Sequence, residues 1–127
     1  MDLAKVQKIL KNKSFVAVKK GSVVFESEDK GLKPFIDAID SADLEGSLIG
    51  DRIIGKASAL LSCYSKAHML YTPRITEEAL SYLNREGIKI EYEEVVNMRE
   101  CNYDIALKGV EDSEKAYVII KGMMKNG

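Results

Sequence analysis

Apolar residues recur along the chain in distinct rhythms, and each rhythm predicts a different element. Near the start, Leu3, Val6, Ile9 and Leu10 fall three and four apart among lysines, the spacing of a helix that lays one face on a core. Residues 14–18 and 22–26 are short β-rich runs separated by Lys19, Lys20 and Gly21. Gly21 adopts positive φ at little cost, so the pair predicts a hairpin. The run 14–18 is apolar on both faces, which places it inside a sheet and not on its rim. Gly31 and Pro34 then mark a helix start, with Phe35, Ile36 and Ile39 as its buried stripe.

Residues 40–46 read as a polar loop, and 47–49 as a very short strand ended by Gly50 and Asp51. From Asp51 onward, Ile53, Ile54, Ala57, Leu60, Leu61 and Tyr64 follow helical intervals, and small neighbours would let this helix lie close to a sheet. Residues 67–71 predict a strand, 76–85 a helix closed by Gly87, and 88–92 a further strand. In that last strand Ile88, Ile90 and Tyr92 alternate with Lys89, Glu91 and Glu93, so one face should be wet. A short helix over 102–108 and a final one over 113–125 complete the chain. A hairpin followed by helix-strand-helix-strand-helix predicts an α/β fold: a three-layer α/β/α sandwich with a mixed sheet, one domain over 1–127.

Composition narrows the partners. Lysines and arginines number 19 against 20 acids, a net charge of −1, so the basic excess that a duplex nucleic-acid binder uses to displace counterions is missing. A nucleotide-sized ligand needs only one or two local donors and stays possible. No apolar run approaches membrane-spanning length, and the first residues mix charge with apolar side chains, unlike a signal peptide. Two cysteines are too few for a disulfide framework. A cytoplasmic protein without membrane contact is expected.

Gly50-Asp51-Arg52-Ile53-Ile54-Gly55-Lys56-Ala57 matches the spacing of a phosphate loop, but Ala57 stands where a hydroxyl must ligate magnesium. A weaker reading survives. The free N–H groups of a helix start near Gly55, with Lys56 or Arg52 adding charge, could hold an anion. The plainer alternative is a helix capped by Asp51 or Gly50, with solvated basic side chains. His68, the single histidine, shares no tight ligand spacing with Cys63 or Cys101, so no metal site is expected. Cys101 stands in a polar loop with Arg99, Asn102 and Asp104, just before a predicted helix. That setting would lower its pKa toward the thiolate, with Asp104 as cap or acid–base group. An ordinary helix entry is the alternative. Glu91, Glu93 and Glu94 read as a solvated strand edge.

Three fragments together carry a resemblance: Gly31-Leu32-Lys33-Pro34, Asp51-Arg52-Ile53-Ile54-Gly55-Lys56-Ala57-Ser58-Ala59 and Glu86-Gly87-Ile88-Lys89-Ile90-Glu91-Tyr92. They resemble a small prokaryotic family of unknown function regarded as a divergent member of the cytidine-deaminase-like fold. That family usually carries an asparagine- and glycine-rich loop leading to Cys-Pro-x-Glu, where this chain has Cys101-Asn102-Tyr103-Asp104. Zinc deaminases place His-x-Glu at one helix start and Pro-Cys-x-x-Cys at the next. Here the first position reads Gly55-Lys56-Ala57 and the second Pro73-Arg74-Ile75-Thr76-Glu77, so the zinc ligands are replaced and no cofactor is expected.

The resemblance implies two helix starts, near Lys56 and Arg74, converging on a cleft. The expectation is a binding domain for a small anionic ligand, a nucleotide or phosphate-type metabolite, held by Asp51, Arg52, Gly55, Lys56 and Arg74. Two alternatives stand beside it. One is a metal-free enzyme with Cys101 as nucleophile and Asp104 or Lys56 carrying the proton. The other is a structural module, for instance a homodimer.

Overall fold

A computed structural model describes residues 2–97 and 101–126. Helix α1 (Asp2–Ile9) leads into the hairpin of β1 (Phe15–Lys19) and β2 (Ser22–Ser27). At its turn Lys20 and Gly21 both have positive φ, 51° and 79°. Two left-handed residues in succession match the right-handed twist of the flanking strands, so the hairpin closes tightly. Helix α2 (Lys33–Ser41) follows with Pro34 in its first turn, then β3 (Leu48–Asp51), the two-residue β4 (Ile53–Ile54) and α3 (Lys56–Tyr64). Next come β5 (Met69–Thr76), α4 (Glu77–Glu86), β6 (Lys89–Val96), the short α5 (Asn102–Ala106) and α6 (Ser113–Asn126).

One mixed sheet organises these elements. Strand β1 lies between β2 and β3, antiparallel to both, while β3, β4 and β6 all run parallel to β5. Strands β3 and β4 occupy successive stretches of one side of β5, and β6 covers the other. Helix α1 covers one face, where Val6 and Leu10 pack on Val16, Val18, Leu48 and Tyr71. The opposite face carries the larger core, in which Phe15, Ile49, Leu70 and Ile75 meet Phe35 of α2, Leu60 and Leu61 of α3, Leu83 of α4 and Ile120 of α6. Each of these large side chains contributes about 1.5–3 kcal/mol when fully buried. The result is the three-layer α/β/α sandwich expected from the pattern. Among the described residues no helix is long and apolar enough to cross a membrane.

Three local expectations need correction. Ile53 and Ile54 are not the first turn of α3. They form β4, paired with Arg74 and Ile75 of β5, and the helix starts only after Gly55. Two β-branched residues beside an open strand gain a ladder there that a helix start would not supply. Pro73 does not open a helix either, for it lies inside β5. It falls where the ladder beside β5 changes from β3 to β4, with Tyr71 paired to Gly50 and Arg74 to Ile53. A residue without an N–H is tolerated at such a break. The Thr72 hydroxyl spans the kink, accepting from the Arg74 N–H at 3.2 Å and donating to the Arg74 carbonyl at 2.9 Å. Strand β6 is longer than expected and mostly exposed, since it is an outer strand paired to β5 on one side alone. Glu91, Glu93 and Glu94 load this edge with charge, which discourages pairing with another chain.

Gly50 is a contact residue and not a turn. It sits buried in β3 beneath α1, and a Cβ built there would lie well under 3.0 Å from Val6 Cγ1 and 3.0 Å from Leu10 Cδ1. The missing side chain is what lets α1 pack down on the sheet.

Candidate functional site

The parallel strands β3, β4 and β5 end on the same side of the sheet, next to β1, where pairing changes from antiparallel to parallel. Open α/β sheets leave a crevice outside the carboxyl ends of their strands at such a change. Here that crevice is a cleft of about 400 Å³. Ser14 and the 28–32 turn form one wall, the stretch from Asp51 to Ser58 the floor, and Cys101, Tyr103 and Asp104 the other wall. A wider hollow of about 560 Å³ lies where the ends of α2 and α3 meet the start of α6. It is more open to solvent and lacks the cluster of carboxyl groups that distinguishes the cleft.

Asp51, the last residue of β3, puts its carboxyl group into the cleft floor. The residue is partly exposed, but its carboxyl is withdrawn from water, and this desolvation pushes its pKa up to about 8. The backbone N–H groups of Ile53 and Arg52 donate to it and pull the other way without cancelling the effect. Near neutral pH, Asp51 is therefore mainly a neutral acid, able both to donate and to accept a hydrogen bond.

The start of α3 is already satisfied from within. Gly55 is its N-cap in extended conformation and makes no side-chain cap. Instead Asp104, from α5, accepts the Ala57 N–H at 3.1 Å. Gly55 leaves room for this approach, since a Cβ there would stand 3.4 Å from Asp104 Oδ2. A carboxylate at a helix N-terminus meets the positive end of the helix dipole, the favourable arrangement. Lys56, one residue earlier, is buried and donates from Nζ to the Leu107 carbonyl at 3.0 Å. Lys56 and Ala57 thus fasten α5 to α3 by two bonds, and α5 is held as one wall of the cleft.

The structure places the expected site residues as follows. Asp51, Arg52, Gly55, Cys101 and Asp104 do meet at one cleft. Lys56 belongs to the joint beneath it, and its ammonium group points to Leu107 and not to a ligand. Arg52 lines the cleft, but its Nε donates to the carbonyls of Lys13 at 2.9 Å and Leu10 at 3.3 Å, so its charge ends the α1 segment. Arg74 is exposed on β5, does not line the cleft, and stands two residues before the cap of α4. The helix start it was expected to serve is capped by Thr76, whose hydroxyl accepts the Ala79 N–H at 3.2 Å. Glu77 and Glu78 occupy the first turn of that helix. The cations expected to bind an anion here are thus engaged or turned away, and the carboxyl groups remain.

Cys101 caps α5, but its thiol is shifted opposite to expectation. Burial pushes it up, and the charge of Asp104 adds to that, outweighing the N–H groups of Asp104 and Tyr103 that favour the thiolate. Arg99, expected to help lower it, lies outside the described residues. Cys63 sits half-buried on α3 beside Glu86, and His68 is exposed just before β5. Among the described residues no group of three or more histidine, cysteine, aspartate or glutamate side chains is arranged to hold a metal ion. Sequence reasoning missed Ser58 and Tyr103. In the sequence Ser58 has the signature of a small packing residue on α3, and Tyr103 differs from its polar neighbours only in being aromatic, the one signal that points to it.

Comparison with known proteins agrees with this fold. The crystal structure of a DUF1893 family protein, TM1506, from Thermotoga maritima is similar over 95% of this chain and 88% of that one, with a TM-score of 0.86 and 29% sequence identity. No curated protein matches. A family model described as "TM1506: Domain of unknown function (DUF1893)" matches residues 5–124. With nearly its whole length matched, the chain belongs to the DUF1893 family.

Proposed function

We propose that this domain is a non-catalytic, divergent deaminase-like module that binds a small, uncharged, hydrogen-bonding ligand in the cleft at the end of β3. The observation that carries the reading is Asp51. A carboxyl group desolvated in a cleft, with a pKa near 8, weakens the fold at neutral pH, and such groups concentrate at functional sites. A neutral acid offers a donor and an acceptor side by side, the complement of the amide or amidine edge of a heterocycle. Leu32, Ile53 and Tyr103 supply apolar wall for the body of such a ring.

Charge favours an uncharged head group over the anion suggested by the sequence. Beside the neutral Asp51, three carboxylates, Glu28, Asp29 and Asp104, line the cleft against Lys30 and Arg52, so even with Glu28 paired to Lys13 and Asp29 to Lys33 the lining holds no surplus of positive charge. Binding is favoured over catalysis because Cys101 is held toward the thiol, Asp104 is fixed on Ala57, and Lys56 is fixed on Leu107.

The test is a thermal-shift series with uncharged nucleosides at pH 6.5 and 9. A binder stabilises the native state by about 2.7 kcal/mol at a hundred times its Kd. Stabilisation at pH 6.5 that weakens at pH 9 and vanishes in Asp51→Ala supports the reading. An unresponsive panel, or binding indifferent to Asp51, overturns it.

A further inference from the structure

A second cavity of about 640 Å³ runs along α2 and the last turns of α6, and it shares Lys30, Gly31, Leu32 and Tyr103 with the cleft. The two are therefore neighbouring chambers of one groove, with the 30–32 turn and Tyr103 as the common wall. Their charges are opposite. Where the cleft is acidic, the second chamber gathers Lys30, Lys33, Lys121 and Lys125 against only Asp37 and Asp40. Lys33 bonds to Asp37 at 2.6 Å, and Lys121 pairs with Asp40. Lys30 and Lys125 have no ion-pair partner among the described residues. The surplus positive charge thus sits on two flexible side chains at the chamber next to Asp51's cleft.

We propose that the two chambers form one bipartite site for a ligand with an uncharged heterocyclic head and a phosphate tail, the head on Asp51 and the tail between Lys30 and Lys125. This rests on the reading of the cleft as the head's binding place. Tyr103, half-buried at the junction, lies where the linking sugar or chain would pass. The fold gains little from these lysines. Both are exposed and hold nothing in place, so their charge is available to a ligand.

Isothermal titration of the full chain at low ionic strength tests the proposal, with the common nucleosides, their 5′-monophosphates and inorganic phosphate as probes. The expected result is a monophosphate binding about tenfold or more tighter than its nucleoside, as one charge-assisted contact supplies. Added salt should erode that gain. Lys125→Ala should weaken the monophosphate and leave the nucleoside's own binding unchanged, because Lys125 lines only the second chamber, and Lys30→Ala/Lys125→Ala should remove the rest of the phosphate's gain. Because both positions are exposed, the double variant keeps its fold, which circular dichroism verifies. Nucleosides that bind without any gain from the phosphate, or a gain untouched by the double variant, overturn the bipartite site alone. Inorganic phosphate binding as tightly as the monophosphates overturns it too, since no head would then be engaged. Neither nucleosides nor monophosphates binding overturns the cleft reading and this inference together.

Discussion

Replacing Gly50 by alanine adds one methyl group in β3, beneath α1. The backbone there is not in the left-handed region, so alanine can adopt it without strain. Taken alone, the loss of chain entropy in the unfolded state would stabilise the variant by about 0.4–1 kcal/mol. Packing decides otherwise. The new Cβ would fall well inside 3.0 Å of Val6 Cγ1, with Leu10 Cδ1 at 3.0 Å and Val16 Cγ1 at 3.1 Å. Val6 and Val16 are fully buried and Leu10 nearly so, and a β-branched valine has few rotamers to turn to, so α1 must lift. Such overpacking costs about 1–3 kcal/mol, which exceeds the entropic gain. The net expectation is a loss of about 1–2 kcal/mol. At about 2.1 cal/mol/K of unfolding entropy per residue over 127 residues, that lowers Tm by about 4–8 °C.

A double-mutant cycle separates this cause from a general effect on the strand. Val6→Ala deletes the atom that clashes, at its own cost of about 1–2 kcal/mol for a buried aliphatic truncation. In that background Gly50→Ala should cost about 0.5 kcal/mol or less, because only the tighter contacts to Leu10 and Val16 remain. Chemical denaturation of the four proteins reads the coupling, expected to be about 1 kcal/mol or more. Penalties that add within about 0.3–0.5 kcal/mol would refute the account of α1 seated on a missing side chain.

Three further outcomes follow from the site. In the folded chain Asp51 keeps its proton up to about pH 8, while in the unfolded chain it loses it in the ordinary carboxylate range. Asp51 therefore supports the fold at low pH, and that support drains away as pH rises, at up to about 1.4 kcal/mol per unit, until about pH 8. Asp51→Asn should thus gain on the native protein in denaturation midpoint between pH 5 and 8 and level off above, and a pH-independent difference would contradict the cause. Alkylation of Cys101 in a Cys63→Ser background should show a rate midpoint above that of a free thiol, and Asp104→Ala should move it down; a midpoint below the free thiol would refute the assignment. Asp104→Ala also removes the acceptor for the Ala57 N–H and should cost about 1 kcal/mol in urea denaturation, with Asp104→Asn recovering most of it; an undiminished midpoint would show the cap to be idle.

The sequence was most legible where one local rule acted alone. Lys20 and Gly21 announced their turn, Pro34 its helix start, and Gly87 ends α4 with φ of 76°. Reading failed where long-range pairing outweighed local rhythm. Ile53 and Ile54 fit a helical stripe extending to Tyr64, and only β5, some twenty residues away, makes them a strand. Pro73 likewise suggested a helix entry, since nothing nearby shows that the ladder changes strands at that point. The site shows the same division. Asp51, Gly55, Cys101 and Asp104 could be gathered at one place from their positions at predicted element ends. The tasks of Lys56 and Arg52 could not, because their partners, Leu107 and the carbonyls after α1, are distant carbonyl groups that leave no side-chain signature.

That invisibility reverses the electrostatics of the cleft. Reading cations from the sequence treats every lysine and arginine near a helix start as available to a ligand. The buried Lys56 ammonium is instead consumed by the fold, because the Leu107 carbonyl would otherwise face burial without a donor, and the exposed Arg52 guanidinium is held over the carbonyls of Leu10, Lys11 and Lys13. What stays available is the opposite set: a carboxyl on Asp51 held only by its own turn, and lysines on the neighbouring α2–α6 chamber that hold nothing. A fold that used Lys56 for a ligand would have to leave the buried Leu107 carbonyl unsatisfied, whereas the exposed carbonyls after α1 could turn to water. The bond that fastens α5 in place therefore also removes Lys56 from the cations open to a ligand, and on the proposed reading this is what favours an uncharged head group.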